Sequence, residues 1–336
     1  MGSRSTVYNA GLTSNYDEVS ANNKALLRDF IAYCKTTDHS QQTCYQYEQQ
    51  IRVFLCWLQA NCGNKDFIEV KKREFVSFFA ALHDDYGMSS NRMASIKSAL
   101  SSMSNYIEDI LDDEYPNYRN AVKSIKLGVK QAVRPKTVME ADEVEKCLKT
   151  LVEAKKYEVA CFFAFLVYSG ARKSEAIQVR VDDFADKNIV LSGKYWLTAP
   201  MRTKGRGAQG KVLRKYMEIA GFKPYLDLWL KQREELGIKN ELLFTVYSNG
   251  EYIGAKISTA NSWAEKISEI IGKEYYHHCL RHYHVSVAKR NGVPDTIIQK
   301  MVGWSSVDLV QVYDDREDVE ELEDWFNKQD DIKGDE

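Results

Sequence analysis

No apolar run in this 336-residue chain approaches the ~18 residues that a membrane-spanning helix needs, so no membrane partner is expected. The first 17 residues are polar and lack the apolar core of a signal peptide, which predicts a cytoplasmic protein. Cysteines number seven, an odd count, and no two stand at C-x-x-C spacing. Several sit inside apolar helical patterns, as in Phe54-Leu55-Cys56-Trp57 and Ala160-Cys161-Phe162. That excludes a disulfide framework and predicts reduced, buried thiols. Internal repeats and low-complexity segments are also lacking. Net charge is nearly absent, at -2, which taken alone argues against a polyanion partner.

The distribution of charge reverses that impression. Residues 314–336 carry twelve acidic and three basic side chains, a balance of -9, which leaves +7 on the other 313 residues. Two stretches are purely basic. Residues 117–139 hold six Lys/Arg and no acid (Arg119, Lys123, Lys126, Lys130, Arg134, Lys136). Residues 187–216 hold eight and no acid, among them Arg202, Lys204 and Arg206. One such run is commonly a solvated face; two in one chain point to a polyanion partner such as nucleic acid.

The length suits about two domains. Residues 1–20 read as a tail. Apolar residues then recur at helical spacing in four segments between residues 25 and 111, which predicts a small helical bundle. Arg119, Lys123, Lys126 and Lys130 follow at i, i+4, i+7 and i+11, one face of a further predicted helix. Val133-Arg134-Pro135-Lys136 breaks the pattern, because the residue before Pro is pushed out of the α region. We therefore expect a helical domain over residues 21–130, a basic linker at 131–137, a second domain over 138–328 and an acidic tail at 329–336. In the second domain, short strands are expected at 188–191, 195–198, 213–219 and 243–246, and a helix at 224–235. The expected fold class is mainly α with a small antiparallel β-sheet.

Chemistry concentrates near the C-terminus. Four of the six histidines lie in His277-His278-Cys279-Leu280-Arg281-His282-Tyr283-His284. At about 100° per residue, His278, Arg281 and His282 share one helix face. A core helix with polar caps is one explanation. A zinc site using His278, Cys279 and His282 is another, opposed by Arg281 on the same face and by the lack of a second ligand pair. The third is anion binding, since guanidinium forks match phosphate and imidazole moves protons near neutral pH. Upstream stands Ser169-Gly170-Ala171-Arg172-Lys173-Ser174-Glu175. Downstream stand Gly303-Trp304-Ser305-Ser306 and, nine residues after the Trp, Tyr313.

This ordered set resembles the tyrosine recombinase family, which includes phage integrases and the Xer and Cre recombinases. Gly170-x-Arg172-x-x-Glu175 is similar to its first box, His278-x-x-Arg281 to its second, and Gly303-Trp304 followed by Tyr313 to its third. The boxes span residues 170–313, and the resemblance as a whole covers about residues 20–328. It implies a helical core-binding domain followed by an α+β catalytic domain. It also implies a nucleophilic Tyr313, with Arg172, Arg281 and Trp304 on the scissile phosphate and His278 assisting proton transfer. Glu175 and His282 are supporting residues. The family needs no metal and no cofactor.

The resemblance further implies a Lys on a β-hairpin turn that protonates the leaving 5′-oxygen. Lys204, in Thr203-Lys204-Gly205, fits best, with Lys194 and Lys211 as alternatives. The partners implied are double-stranded DNA at core sites, arranged as inverted repeats, further copies of the chain in a tetramer, and an accessory directionality factor. Residues 317–326 read as an amphipathic helix for docking on a neighbouring copy. A type IB topoisomerase and a non-catalytic DNA-binding derivative are the competing functions.

Overall fold

The computed structural model describes residues 11–128, 137–203 and 211–315. They fall into two compact units, 11–128 and the remainder.

The first unit contains four α-helices: α1 (Ala21–Thr36), α2 (Gln41–Asn61), α3 (Lys72–Asp84) and α4 (Ser90–Ile110). Serines start three of them. The Ser20, Ser40 and Ser89 side chains accept from the backbone N–H of Asn23, Thr43 and Arg92, satisfying donors that a helix start leaves orphaned. The core is aromatic. Phe54, fully buried, stacks on Phe75 at 4.8 Å and meets the edge of Phe78 at 4.8 Å. Buried Asn23 ties α1 to the loop before α3, donating to Lys65 O at 3.0 Å and accepting from Phe67 N at 2.8 Å.

The helix expected through Arg119, Lys123 and Lys126 is not there. Those residues lie in an irregular segment with one 3-10 turn, Val122–Ser124. Val122 and Ile125 are buried in the core beside α4. Asn120 fixes the path, donating to Ser101 O at 3.0 Å and accepting from Lys123 N at 3.1 Å. An Asn side chain that bonds nearby backbone competes with helix. The Arg119 guanidinium folds back onto Pro116 O and Tyr118 O. Lys130, Arg134 and Lys136 lie outside the described residues.

The second unit opens with α5 (Ala141–Glu153), α6 (Tyr157–Ser169) and the single turn α7 (Lys173–Ala176). Strands β1 (Ile189–Val190), β2 (Tyr195–Leu197), β3 (Met201–Thr203), β4 (Lys211–Leu213) and β5 (Tyr216–Glu218) lead into α8 (Ile219–Glu235). A hairpin of β6 (Thr245–Ser248) and β7 (Glu251–Gly254) precedes α9 (Ile257–Ile271), α10 (Cys279–Arg290), α11 (Asp295–Val302) and α12 (Asp308–Tyr313). The strands pair antiparallel as β1-β2-β5, β3-β4 and β6-β7. The fold class is thus mainly helical with small antiparallel sheets.

Three details differ from expectation. The strand expected at 213–219 is two strands in different sheets, parted at Arg214-Lys215. Helix α8 begins five residues before Pro224, because Phe222 extends the buried stripe of Leu226 and Trp229 upstream. The 243–246 strand is displaced to Thr245–Ser248, since Leu243 and Phe244 enter the core instead.

The centre of this unit is α6, apolar all round, with Phe162, Phe163 and Phe165 fully buried. It ends at Gly170, whose φ is +57°, and a Cβ there would stand 2.7 Å from the His284 ring. Only glycine meets both demands. The chain is thereby turned so that Arg172 starts α7.

Candidate active site

Glu175 is the hub. Its carboxylate is fully buried and accepts from Arg172 N at 2.9 Å, Arg172 Nη1 at 2.9 Å and the Thr203 hydroxyl. Lys215 Nζ stands 3.1 Å away and Arg281 Nη1 3.9 Å. Burial by itself would raise this carboxyl. Lys215, Thr203, the Arg172 amide and Arg281 outweigh it and hold the group at about 2.

Arg281 is also fully buried. It donates to Gly170 O at 2.9 Å and Val302 O at 3.4 Å, so it joins the first box to the turn before Trp304. Burial and then Arg172 lower it to about 10, which leaves it charged at neutral pH. The Trp304 and Tyr313 rings lie over its guanidinium, with centroids at 4.9 and 5.8 Å. Arg281 Nε and the indole Nε1 of Trp304 are buried with no hydrogen-bond partner among the described residues. A buried donor left unpaired is costly, and two together suit an anionic oxygen.

Tyr313 is the last residue of α12. Its hydroxyl stands 2.9 Å from His278 Nε2. Its ring stacks on His282 at 4.4 Å and packs on Trp304 at 4.7 Å. His282 Nδ1 meets the Asp315 carboxylate at 3.0 Å, and Asp315 N donates to Ser286 Oγ at 2.8 Å, so the chain after the tyrosine is pinned to α10. His278 precedes α10 and is open to solvent on one side. The protein packed around its other faces, then His282, Arg281 and Arg172, push its imidazole down to about 4. It is therefore neutral at pH 7, with a lone pair free to take a proton.

The structure thus gathers Arg172, Glu175, His278, Arg281, His282, Trp304 and Tyr313 in one place. Lys204 and Arg206 lie outside the described residues, which stop at the β3 end of the hairpin and resume at β4. Of the alternatives for the hairpin lysine, Lys194 is exposed just before β2, whereas Lys211 opens β4 on the hairpin itself and donates to Gly303 O at 3.2 Å, next to Trp304. Arg202 is exposed on β3, its backbone paired with the Gln178 side chain. Cys279 is fully buried, and its thiol is pushed up to about 12 by burial. Among the described residues no three His, Cys, Asp or Glu side chains are grouped to hold a metal.

Two participants escaped the sequence reading. Thr203 bridges Arg172 and Glu175, with its hydroxyl 3.0 Å from Arg172 Nη1. Lys215 is a fully buried cation on Glu175.

The model of the phage integrase family matches residues 137–320. Among curated relatives, the SPbeta prophage-derived recombinase-like protein YomM of Bacillus subtilis is 26% identical over 276 residues, 80% of this chain and 79% of that one. The tyrosine recombinase XerH of Helicobacter pylori is 26% identical over 264 residues, 74% of this chain and 67% of that one. Among solved structures, a lambda integrase tetramer bound to a Holliday junction has a TM-score of 0.63 at 15% identity, covering 94% of this chain and 83% of that one. XerH bound to its difH substrate in a pre-cleavage complex has a TM-score of 0.60 at 17% identity, covering 90% of each chain.

Proposed function

This chain belongs to the phage integrase family and is a site-specific tyrosine recombinase, and on that premise we propose that Tyr313 attacks a phosphate of double-stranded DNA. The observation that carries the reading is the Tyr313 hydroxyl 2.9 Å from a neutral His278, beside the unpaired donors of Arg281 and Trp304.

The geometry around Tyr313 supports the following steps, and the family resemblance supplies the role of Lys204. The Tyr313 oxygen forms a bond to phosphorus while its proton passes to His278 Nε2. Arg172, Arg281 and the Trp304 indole hold the non-bridging oxygens as charge builds on the pentavalent transition state. The bond to the 5′-oxygen breaks, and that oxygen takes its proton from Lys204. A 3′-phosphotyrosine and a free 5′-hydroxyl result. The phosphotyrosine keeps the bond energy, so attack by a 5′-hydroxyl from another strand reseals the DNA without ATP. Arg281 lies wholly beneath the Trp304 and Tyr313 rings, whereas the Arg172 side chain is 26% exposed. Arg172 accordingly meets the phosphate first, and the Tyr313 ring shifts outward as Arg281 engages.

The first unit and the basic segments supply the duplex grip, with Arg119, Lys123, Lys126, Lys130, Arg134, Lys136, Arg202 and Arg206 on the backbone. Four copies assemble on paired sites with inverted repeats and pass through a Holliday junction, aided by a directionality factor and working in the cytoplasm. The relatives and their complexes support this assembly. The chain serves as the integrase of a phage or another mobile element.

The test is covalent capture from a pool of random-sequence duplexes, each nicked just 3′ of the scissile position. The wild type is expected to form a protein–DNA adduct that resists boiling in detergent, and Tyr313→Phe to form none. An undiminished adduct in that variant would remove Tyr313 as the nucleophile. Holliday junctions from two captured sites separate a recombinase from an enzyme that only relaxes supercoils.

A further inference from the structure

We propose that Lys215 is a positioning residue of this active site: it fastens the β3–β4 hairpin to Glu175 and to the turn carrying Trp304, and so leaves Arg281 free for the phosphate. The proposal rests on the reading of Tyr313 as nucleophile.

Residues 211, 213 and 215 alternate along extended chain, so their side chains share one face. All three meet the same turn. Lys211 Nζ donates to Gly303 O at 3.2 Å. The Leu213 methyl would lie 2.7 Å from a Cβ on Gly303, whose φ is +81°. Lys215 Nζ donates to Val302 O at 2.8 Å and pairs with Glu175 Oε2 at 3.1 Å. Thr198 clamps the Lys215 backbone from both sides: its hydroxyl accepts from Lys215 N at 2.9 Å, and its N–H donates to Lys215 O at 3.0 Å. With no exposed surface, Lys215 does not reach DNA.

A cation here has a purpose that an apolar residue does not serve. Val302 closes α11, and the carbonyls of a last helical turn lack intrahelical donors and carry partial negative charge. Lys215 and Arg281 share that carbonyl, and they share Glu175. Without Lys215, Arg281 becomes the partner for both. Closing its 3.9 Å gap to Glu175 draws the guanidinium away from the phosphate.

The groups facing Lys215 give the arrangement a pH signature. They are Glu175 and Arg172 at α7, and Arg281 and His284 on α10. Burial pushes the ammonium down to about 8, Arg281 and Arg172 push the same way, and Glu175 resists. His284, lowered to about 4 by burial, is neutral there. Strand cleavage is therefore expected to fall as pH rises through about 8.

The experiment measures single-turnover adduct formation by the full-length protein on one duplex recovered in the random-sequence capture. An otherwise identical duplex has sulfur in place of the bridging 5′-oxygen. A thiolate leaves without a proton, so this substrate bypasses any general acid. On it, the wild type is expected to keep its decline near pH 8. Lys215→Met is expected to bind DNA like the wild type, cleave on the order of 10²-fold more slowly on both substrates and lose that decline; displacing reacting groups by about 1 Å costs that much. Lys215→Arg keeps the charge and is expected to recover most of the rate, with no decline near pH 8.

Wild-type rate and pH profile in Lys215→Met would overturn the proposal. So would rescue of that variant by the sulfur duplex, which would make Lys215 the acid itself. If Lys215→Met does not fold, the wild-type profile decides, because a decline that vanishes on sulfur belongs to the leaving-group acid. Adduct formation by Tyr313→Phe would instead sink the underlying reading, whatever Lys215 does.

Discussion

The two units bury different kinds of side chain. Among the described residues, the polar side chains buried in the first unit are Asn23 and Ser104, both uncharged. The second buries Glu175, Asp183, Lys215, Arg233 and Arg281, together with His277. Buried hydrocarbon stabilises with few conditions attached, whereas a buried charge is tolerated only when its partners stay in place. The first unit is thus built to hold a shape. On the reading proposed above, the second gives up stability to keep Arg281 and the Lys215–Glu175 pair fixed beside the phosphate, which is how preorganised electrostatic catalysis works.

The largest expected effect tests the first half of that contrast. Phe54→Ala removes a ring held between Phe75 and Phe78 and should cost the first unit about 3–5 kcal/mol. Hydrogen exchange should speed up across α2 and α4. A loss under about 1 kcal/mol would mean the aromatic cluster is not the keystone of that unit. Next is Arg172→Ala, in which Glu175 retains Thr203, Lys215 and Arg281. Its cleavage rate should fall on the order of 10²–10³-fold, with exchange in α2 and α4 unchanged. A fall below about tenfold would break the claim that the buried charges serve the phosphate.

Legibility in the sequence followed the same division. The four helices of the first unit showed as apolar stripes because burial of hydrocarbon is periodic. The second unit's boxes showed because Arg172, Arg281 and Tyr313 have distinctive neighbours in fixed order. What stayed hidden was the difference between a buried and a solvated cation. Lys215 is one of eight basic residues in residues 187–216, and Arg214 beside it breaks any apolar pattern. Its burial follows from the break between β4 and β5, which sets Lys215 against Glu175 and the end of α11, a tertiary contact that local spacing does not encode. The spacing of Arg119, Lys123 and Lys126 misled for the converse reason: charges fell at helical intervals, but Val122 and Ile125, three apart, were the anchors.

Acid should separate the units next. His277 and His284 are pushed down to about 4 by burial, so they are neutral in the fold and charged in the unfolded chain below pH 6.5. Their contribution is present above pH 6.5 and is lost as pH falls toward 4, by about 3 kcal/mol each. Glu158, raised to about 7 by burial, works the other way and offsets about one of them. Glu175, held at about 2, adds a further loss of about 3 kcal/mol as pH falls from 4.5 toward 2. Exchange rates, corrected for intrinsic pH dependence, should therefore rise in α6 and α10 between pH 6.5 and 4 while α2 and α4 stay protected. Equal acceleration in both units would erase the contrast. Glu175→Gln should flatten only the part below pH 4.5.

The smallest effect is the cleanest control. Ser20→Ala deletes the oxygen that accepts from Asn23 N at the start of α1, a loss of about 1 kcal/mol. Ser20 touches no group of the catalytic cluster, and its other side-chain partner is Asp66. Exchange should quicken in the first turn of α1, where Asn23 also holds Lys65 and Phe67. Adduct formation on the captured duplex should keep its wild-type rate and pH profile. If so small a change in the first unit altered the alkaline decline assigned to Lys215, that decline would report the fold in general rather than one buried ammonium, and the division of labour between the units would fail with it.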